Sequence, residues 1–192
     1  MAHRIYVLGC AGALADALRE SAGAAGLRVI DVRVDEDHAE VDAEGDGSPD
    51  WGCEILDVVD VGSLEGSADP LGRALGLMAR GRFWEAHEVL EPAWRASSGR
   101  PRELLGLLVR CCAAAVHAQR GRPDSAASIA ARALAAADPS IVPALRRECE
   151  SAGAAAALRA FARGALESRA LDELPIRKAR APTIGFSSSL DR

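Results

Sequence analysis

The sequence has few aromatic side chains and no long apolar run, and each absence excludes a class of protein. Aromatic residues make up 4% of the 192 residues, although hydrophobic residues make up 49% and many of these are alanine. Small apolar side chains let helices pack closely, so the composition favours a helical core. The longest apolar stretches, such as residues 111–116, are far shorter than the roughly 20 residues of a transmembrane helix. We therefore expect no membrane partner.

The cysteines lack the spacing of a metal or redox motif. None of them forms a CxxC pair, and the first residues lack the architecture of a signal peptide. An odd number of cysteines without a secretory signal predicts reduced thiols and a cytoplasmic protein. The five are Cys10, Cys53, Cys111, Cys112 and Cys149.

The sequence also lacks the familiar catalytic signatures. It contains no catalytic triad motif, no complete phosphate-binding loop and no high-specificity metal motif. Gly9 and Gly12 lie where a predicted strand passes into a helix, but they make only part of the GxGxxG pattern. A plain structural turn is the better interpretation there, and whether the protein is an enzyme stays open.

Charge is distributed unevenly along the chain. Residues 31–69 have a net charge of −13, whereas residues 70–192 have a net charge of +7. A basic half can indicate nucleic-acid binding. Here the arginines are scattered around every predicted helix, without a dense run or interleaved aromatic residues. The pattern favours a solvated arginine-rich surface, and nucleic acid is not the expected partner.

The first third of the chain predicts strands and one helix. Residues 11–25 are rich in alanine and leucine and end before a glycine, which is typical of a helix. Three segments are apolar or alternate and contain β-branched residues, as strands do: they are residues 4–9, 27–34 and 53–61. An acidic, turn-rich stretch separates the last two. We expect a small α/β N-terminal region over residues 1–66.

The rest of the chain predicts helix after helix. Asp69 followed by Pro70 is a helix start, because aspartate caps a helix and proline suits its first position. Six helices are predicted, over residues 70–81, 82–96, 102–120, 124–137, 139–152 and 154–170. We expect an all-helical domain over residues 67–172 and an extended tail over residues 173–192. The fold class predicted is α+β, predominantly α: a small strand-helix-strand region followed by a bundle of about six helices.

Acidic, histidine and tryptophan side chains are concentrated in the second of these helices, in the string FWEAHEVLEPAWR. Side chains three and four positions apart share one face of a helix. Glu91 therefore lies on the same face as His87, four positions away, and Glu88, three positions away. Imidazole and carboxylate together suit zinc, iron or manganese, so these three are candidate metal ligands.

The next helix supplies a fourth candidate ligand. Helices joined by a short connection pack antiparallel, which brings His117 near the level of His87 and places Arg110 near Trp94. The predicted conditional metal site is thus His87, Glu88, Glu91 and His117. Its predicted pocket is lined by Trp84, Glu85, Trp94 and Arg110.

The same string, followed by LLGLLVRCCAAAVHAQRGR, resembles the domain of unknown function 309 family. The resemblance covers about residues 70–137 and implies an all-helical fold, but no established activity. Leu105 and Val109 depart from the family pattern, which commonly has glutamines flanking this glycine-leucine segment. The positions that match are Glu85, His87, Glu88, Glu91, Trp94, Gly106, His117 and Gly121.

Three functions remain open from the sequence. In the first, the polar side chains bond to one another in a buried cluster, and the module is a scaffold or binds a protein partner or a second copy of itself. In the second, the cluster binds one divalent transition metal, as a metal-binding protein or a metal-dependent enzyme. In the third, Glu88 or Glu91 is a general base beside a histidine. The first is the function predicted, with the metal site as its alternative.

Overall fold

The computed structural model describes residues 2–10, 15–64, 67–138 and 143–167. A four-stranded sheet lies at the N-terminus and is followed by packed helices, so the predicted α+β, mainly helical fold is confirmed. Within the described residues, no helix is both long enough and apolar enough to cross a membrane. The predicted tail over residues 173–192 lies outside this part of the chain.

The sheet is antiparallel, with the strand order β2-β3-β1-β4. Its strands are β1 (His3–Leu8), β2 (Arg28–Val34), β3 (Ala39–Glu44) and β4 (Ile55–Asp60). β1 pairs with both β3 and β4, and β2 pairs with β3. β4 is therefore an edge strand, and a 3-10 turn at Val61–Leu64 leads from it toward the helices.

β3 lies within the stretch that the sequence predicted as acidic and turn-rich, so that prediction was wrong. The strand alternates between small apolar residues and acids, and alternation with a period of two is the pattern of a strand. Five of its six residues are buried. They include acids, which would be exposed if this segment were a solvated turn. The apolar set is Ala39, Val41 and Ala43, and the acidic set is Glu40, Asp42 and Glu44.

Two hydrophobic clusters lie on opposite sides of the sheet. Tyr6 and Leu8 of β1 pack with α1 (Ala15–Ala24) and with Trp51, whereas Ile5 and Val7 belong to the cluster of the helical bundle. Neighbouring residues of a strand point to opposite faces, which explains this division. The sheet is thus the layer between α1 and the bundle.

One cysteine pair departs from the sequence prediction of reduced thiols. Cys10, just after β1, forms a disulfide with Cys53, just before β4, and their Cα atoms are 5.9 Å apart. Cys111, Cys112 and Cys149 are buried and have reduced thiols, as predicted. Burial raises the pKa of Cys112 above its ordinary value, so this thiol stays protonated and packs as a small apolar group.

The helices of the bundle follow the predicted positions closely. Asp69 caps the first by accepting a hydrogen bond from the Gly72 amide. α4 begins three residues before the predicted start, because Pro101 is tolerated in the first turn of a helix. The helices are α2 (Pro70–Ala79), α3 (Phe83–Ala96), α4 (Gly99–Gln119), α5 (Pro123–Ala136) and α6 (Pro143–Glu167).

α6 contains the break that separates the last two predicted helices. Gly153 has a φ of 82° and a ψ of 167°, a conformation that a glycine adopts without the steric penalty of a Cβ. The helical segments on either side agree with the prediction. Residues 139–142 and 168–170, at the outer ends of these two predicted helices, lie outside the described residues.

Candidate functional site

α3 is fixed in the bundle by one apolar face. Phe83, Ala86, Val89 and Leu90 are all buried, with exposed fractions of 3% or less. Their spacing of three and four residues is that of an amphipathic helix. The other side of α3 carries His87, Glu88 and Glu91, so the apolar packing determines where those groups lie.

His87, Glu88 and Glu91 come together on α3. Each offers one ligand atom, and the three atoms lie within 4.8 Å of one another. Nδ1 of His87 and Oε1 of Glu88 are 3.2 Å apart. Among the described residues, this is the group of histidine, cysteine and carboxylate side chains that has metal-ligand spacing.

The three side chains are open to solvent on one side. The exposed fractions are 25% for His87, 36% for Glu88 and 25% for Glu91. Glu91 also accepts a hydrogen bond of 2.7 Å from Arg95, one turn later. Exposed pairs of this kind are weak, at about 0.3–0.5 kcal/mol, so Arg95 can be displaced from Glu91 at little cost.

Pro92 lies inside α3, which continues through it to Ala96. Proline has no amide hydrogen, so the helix loses the bond to the carbonyl four residues earlier. That carbonyl belongs to Glu88. The proline thus leaves the Glu88 carbonyl without its usual helix hydrogen bond.

His117 is not a member of the group of three. α3 and α4 pack together as predicted, but Nδ1 of His117 is buried and no described residue lies within hydrogen-bonding distance of it. The antiparallel packing therefore does not by itself place a histidine nitrogen among the carboxylates. The role of His117 stays a prediction.

Trp94 and Arg110 meet at Gly106, as the antiparallel hairpin predicts. A Cβ built on Gly106 would lie 2.8 Å from Nε1 of Trp94 and 3.5 Å from Nη2 of Arg110. Arg102 lies over the same indole, with its guanidinium carbon 5.0 Å from the ring centroid. It also donates a 3.1 Å hydrogen bond to the Trp94 carbonyl. Trp94 thus joins the two helices.

Trp84 and Glu85 contact other partners than the metal-ligand group. Glu85 is 1% exposed, and its two oxygens accept hydrogen bonds of 2.6 and 2.7 Å from Arg82. Arg82 also donates to Asp57 of β4. The ring of Trp84 lies 5.2 Å from the guanidinium carbon of Arg33, on β2. Both pocket candidates therefore contribute to the contact between helix and sheet.

A buried charged cluster on that same face of the sheet was not recognised in the sequence. Arg33 is 1% exposed and donates a 2.6 Å bond to Glu40, which is fully buried. It also donates to Asp31 at 2.8 Å, and Asp42 lies 3.7 Å away. Burial alone would lower the pKa of Arg33, but Glu40 and the aspartates outweigh it and raise that pKa. The arginine is therefore charged inside the fold.

Side chains of α4 bind to this cluster from the helical side. Arg120 donates two hydrogen bonds to Asp31, at 2.6 and 2.9 Å. Gln119 donates to Asp35 at 2.6 Å and to the Gly81 carbonyl at 2.8 Å. The sheet and the bundle are thus connected by hydrogen bonds as well as by apolar packing.

The sequence contained a signal for this cluster. Arg33 pairs directly with Glu40 in the β2–β3 register, and Arg28 pairs with Glu44. Opposite charges at facing positions of two neighbouring strands are a cross-strand pattern. The pattern was missed because β3 was not predicted to be a strand.

One family model matches this chain. Residues 71–129 match the model described as Domain of unknown function (DUF309), which confirms the resemblance seen in the sequence. The matched segment runs from α2 into α5 and includes the whole of α3 and α4. The comparisons with curated proteins and with solved structures gave no significant match. The family description assigns no activity.

Proposed function

We propose that the DUF309 segment of this chain binds one divalent transition metal ion through His87, Glu88 and Glu91. The observation that carries the proposal is the approach of three ligand atoms to within 4.8 Å of one another on one face of α3. Imidazole with carboxylate is a ligand set for zinc, iron or manganese. The solvent-open side gives the ion a path of entry.

The distances fit a single ion after small side-chain rotations. Two ligands of a tetrahedral zinc, each about 2.0–2.2 Å from the metal, are about 3.4 Å apart. The separation of His87 Nδ1 and Glu88 Oε1 is 3.2 Å, close to that value. Glu91 is exposed enough to rotate toward the same point once it releases Arg95.

Three protein ligands leave at least one coordination position open. Catalytic zinc sites have this arrangement, with water or substrate in the remaining position, whereas structural sites are closed by four protein ligands. The cluster therefore suits a mononuclear site with access for a small molecule. A di-metal carboxylate centre would need ligands duplicated on facing helices, which this group does not provide.

The test is elemental analysis of protein purified without a histidine tag or a chelator. We expect close to one equivalent of zinc, iron or manganese in the native chain. The variant His87→Ala/Glu91→Ala removes two of the three ligands and should lose the metal. The matched control is Glu103→Gln, because Glu103 is an exposed acid on α4. This variant should retain the metal. A native protein that contains no metal and takes none up from added zinc or manganese contradicts the proposal.

A scaffold or partner-binding module is the second candidate. The contacts of Trp94 with Gly106 and Arg102 favour it, because they use conspicuous polar and aromatic groups to hold two helices together. In a purely structural module, His87 and Glu88 would also stabilise the fold. Removal of either side chain would then lower the melting temperature, since its partner in the cluster would lose a hydrogen bond.

Thermal unfolding of the metal-free proteins separates the two functions. If the cluster is a metal site, Glu88→Ala should leave the melting temperature unchanged or raise it slightly, because the half-exposed acids repel each other without metal. Added metal should then raise the melting temperature of the native chain only. A fall of several degrees in Glu88→Ala, with no effect of metal on either protein, favours the scaffold.

A further inference from the structure

A cleft of about 520 Å³ opens between the sheet and the helices, apart from the group on α3. Its walls come from β1, the β2–β3 connection, β4, the end of α2 and the last part of α6. Small-molecule sites have volumes of about 300–1,000 Å³, so the cleft has room for a small ligand. The lining residues are Val7, Asp37, His38, Leu56, Asp57, Ala79, Arg80, Arg82 and Arg163.

Two of the three arginines in the cleft form no ion pair with a carboxylate among the described residues. Arg82 is paired with Glu85 and Asp57. Arg80 and Arg163 are exposed, and none of the described carboxylates lies within 4.0 Å of either guanidinium. Arg163 makes one long hydrogen bond, of 3.4 Å, to the Ala79 carbonyl. The cleft therefore contains two cations that are ready to bind an anion.

His38, on the floor of the cleft, offers a third donor when its imidazole is protonated. Burial alone would lower the pKa of His38, but Glu40 and Asp37 outweigh burial and raise that pKa above its ordinary value. His38 is 4% exposed, and its Nδ1 donates a 2.7 Å hydrogen bond to Asp37.

Nε2 of His38 is buried and has no hydrogen-bond partner among the residues described. Oε1 of Glu40 is 3.7 Å away, which is too far for a hydrogen bond. The distance is within that of an ion pair, so Glu40 balances the charge of His38 but leaves Nε2 without a hydrogen bond. A buried nitrogen that lacks a hydrogen bond is costly, and a ligand atom that reached it from the cleft would supply one.

We propose that this cleft binds a small phosphorylated molecule, with its phosphate held by Arg80 and Arg163 and hydrogen-bonded to Nε2 of His38. A phosphate monoester has a charge of about −1.5 to −2 near neutral pH and three acceptor oxygens. Three separate donors match three oxygens, whereas a carboxylate has only two. Arginine is well suited to phosphate because its planar fork of N–H groups binds two oxygens at once.

The remaining walls suit the rest of such a molecule. Leu56 and Val7 provide an apolar surface, and Asp37 provides a carboxylate, 68% exposed, that can accept hydrogen bonds from hydroxyl groups. The ion pair of Arg82 and Asp57 also lines the cleft. A soluble ligand of small size fits these features better than an extended polymer.

The proposal is tested by calorimetric titration of the full chain with pyrophosphate at constant ionic strength. We expect saturable one-to-one binding with a dissociation constant below about 1 mM. Arg80→Gln and Arg163→Gln should each weaken binding about tenfold, the loss expected for one hydrogen bond to a charged group. Both residues are exposed, so neither variant should disturb the fold. The matched control Arg132→Gln removes an exposed arginine of α5, and its affinity should stay within about twofold of the native value.

A second readout follows the buried histidine directly. In the ¹⁵N NMR spectrum, the Nε2 resonance of His38 should shift as pyrophosphate binds, and it should not shift when succinate is added at the same ionic strength. Several results overturn the proposal: no saturable binding up to about 10 mM pyrophosphate, equal weakening by Arg132→Gln, or succinate that binds as tightly as pyrophosphate. This test does not involve His87 or Glu91, so its outcome is separate from that of the metal site.

Discussion

At Gly106 the surface of α4 has no side chain, and the indole of Trp94 lies in the space where a Cβ would be. The distance of 2.8 Å from that Cβ position to Nε1 is shorter than real Cβ contacts allow. A glycine in the middle of a helix costs about 0.5–1 kcal/mol relative to alanine. The close contact between α3 and α4 offsets that cost.

Replacing this glycine should therefore destabilise the protein. We expect Gly106→Ala to lower the free energy of unfolding by about 1–2 kcal/mol, because a displaced indole costs more than the helix gains. Urea denaturation followed by circular dichroism measures the change. Gly23→Ala is the matched control, since a Cβ there meets no atom within 4 Å, and it should leave stability unchanged or raise it. Equal effects of the two substitutions would contradict the role given to Trp94.

The group of three on α3 could be predicted because it depends only on helix periodicity. Position 91 shares one face with position 87 and one with position 88 in any regular helix, whatever surrounds it. His117 depends on more, because antiparallel packing sets the level of a residue along the neighbouring helix but not where its ring nitrogens lie. Glu85 pairs with Arg82, three positions earlier, and this spacing also follows from the helix. The pair was not predicted, because Arg82 lies before the residues of the predicted cluster.

At the scale of elements, β2 and β3 form a pair whose helix-facing side is charged. Arg33 and Glu40 face each other across the pair and are both buried. Burial alone would raise the pKa of Glu40, but Arg33 and His38 outweigh it and hold that pKa below its ordinary value. A buried pair of this kind is costly to break, because removal of one partner leaves the other charge without compensation.

We expect Arg33→Met to lower the free energy of unfolding by about 3–5 kcal/mol. The double variant Arg33→Met/Glu40→Gln should recover at least about 1 kcal/mol of this loss, because it no longer leaves a buried carboxylate unpaired. Urea denaturation of the native chain, both single variants and the double variant gives the coupling. Strictly additive effects would mean that the two side chains do not stabilise each other.

β3 shows why this face was missed in the sequence. A strand with acids at every second position is normally assigned to the surface, since isolated buried charges are expensive. Whether such acids are buried depends on cations that other elements supply, here Arg33 from β2, which binds Glu40. The positions of α2, α3 and α5, by contrast, follow from caps and apolar periodicity within each segment. Those helices were predicted nearly to the residue.

At the scale of the whole molecule, Asp31 connects the sheet to the bundle. It accepts hydrogen bonds from Arg33 within the sheet and from Arg120 of α4. Burial raises the pKa of this carboxyl, but the bonds from Arg120 and the charge of Arg33 outweigh burial, so the pKa lies below its ordinary value of 3.8. Protonation of Asp31 would therefore weaken the hydrogen bonds that hold the sheet and the bundle together.

This connection should make the stability of the fold sensitive to acid. A carboxyl whose pKa is lower in the folded state stabilises the protein above its unfolded-state pKa, and the contribution disappears as the pH falls through the folded-state value. We expect the free energy of unfolding to fall as the pH is lowered below about 4, and to fall less steeply in Asp31→Asn, which is already less stable at neutral pH. Urea denaturation at several pH values between 3 and 7 measures both slopes. The control is Asp16→Asn, because Asp16 is exposed in α1, and its free energy of unfolding should change with pH as that of the native chain does. If the native chain and Asp31→Asn gave parallel curves of unfolding free energy against pH, the prediction would be wrong.

The three tryptophans occupy three different contacts of the fold. Trp51 packs against Tyr6 on the α1 side of the sheet, Trp84 lies beside Arg33 where β2 meets α3, and Trp94 lies between α3 and α4. Each layer boundary therefore contains its own natural fluorophore. Chains that retain a single tryptophan would report, without any added dye, which boundary opens first as the molecule unfolds.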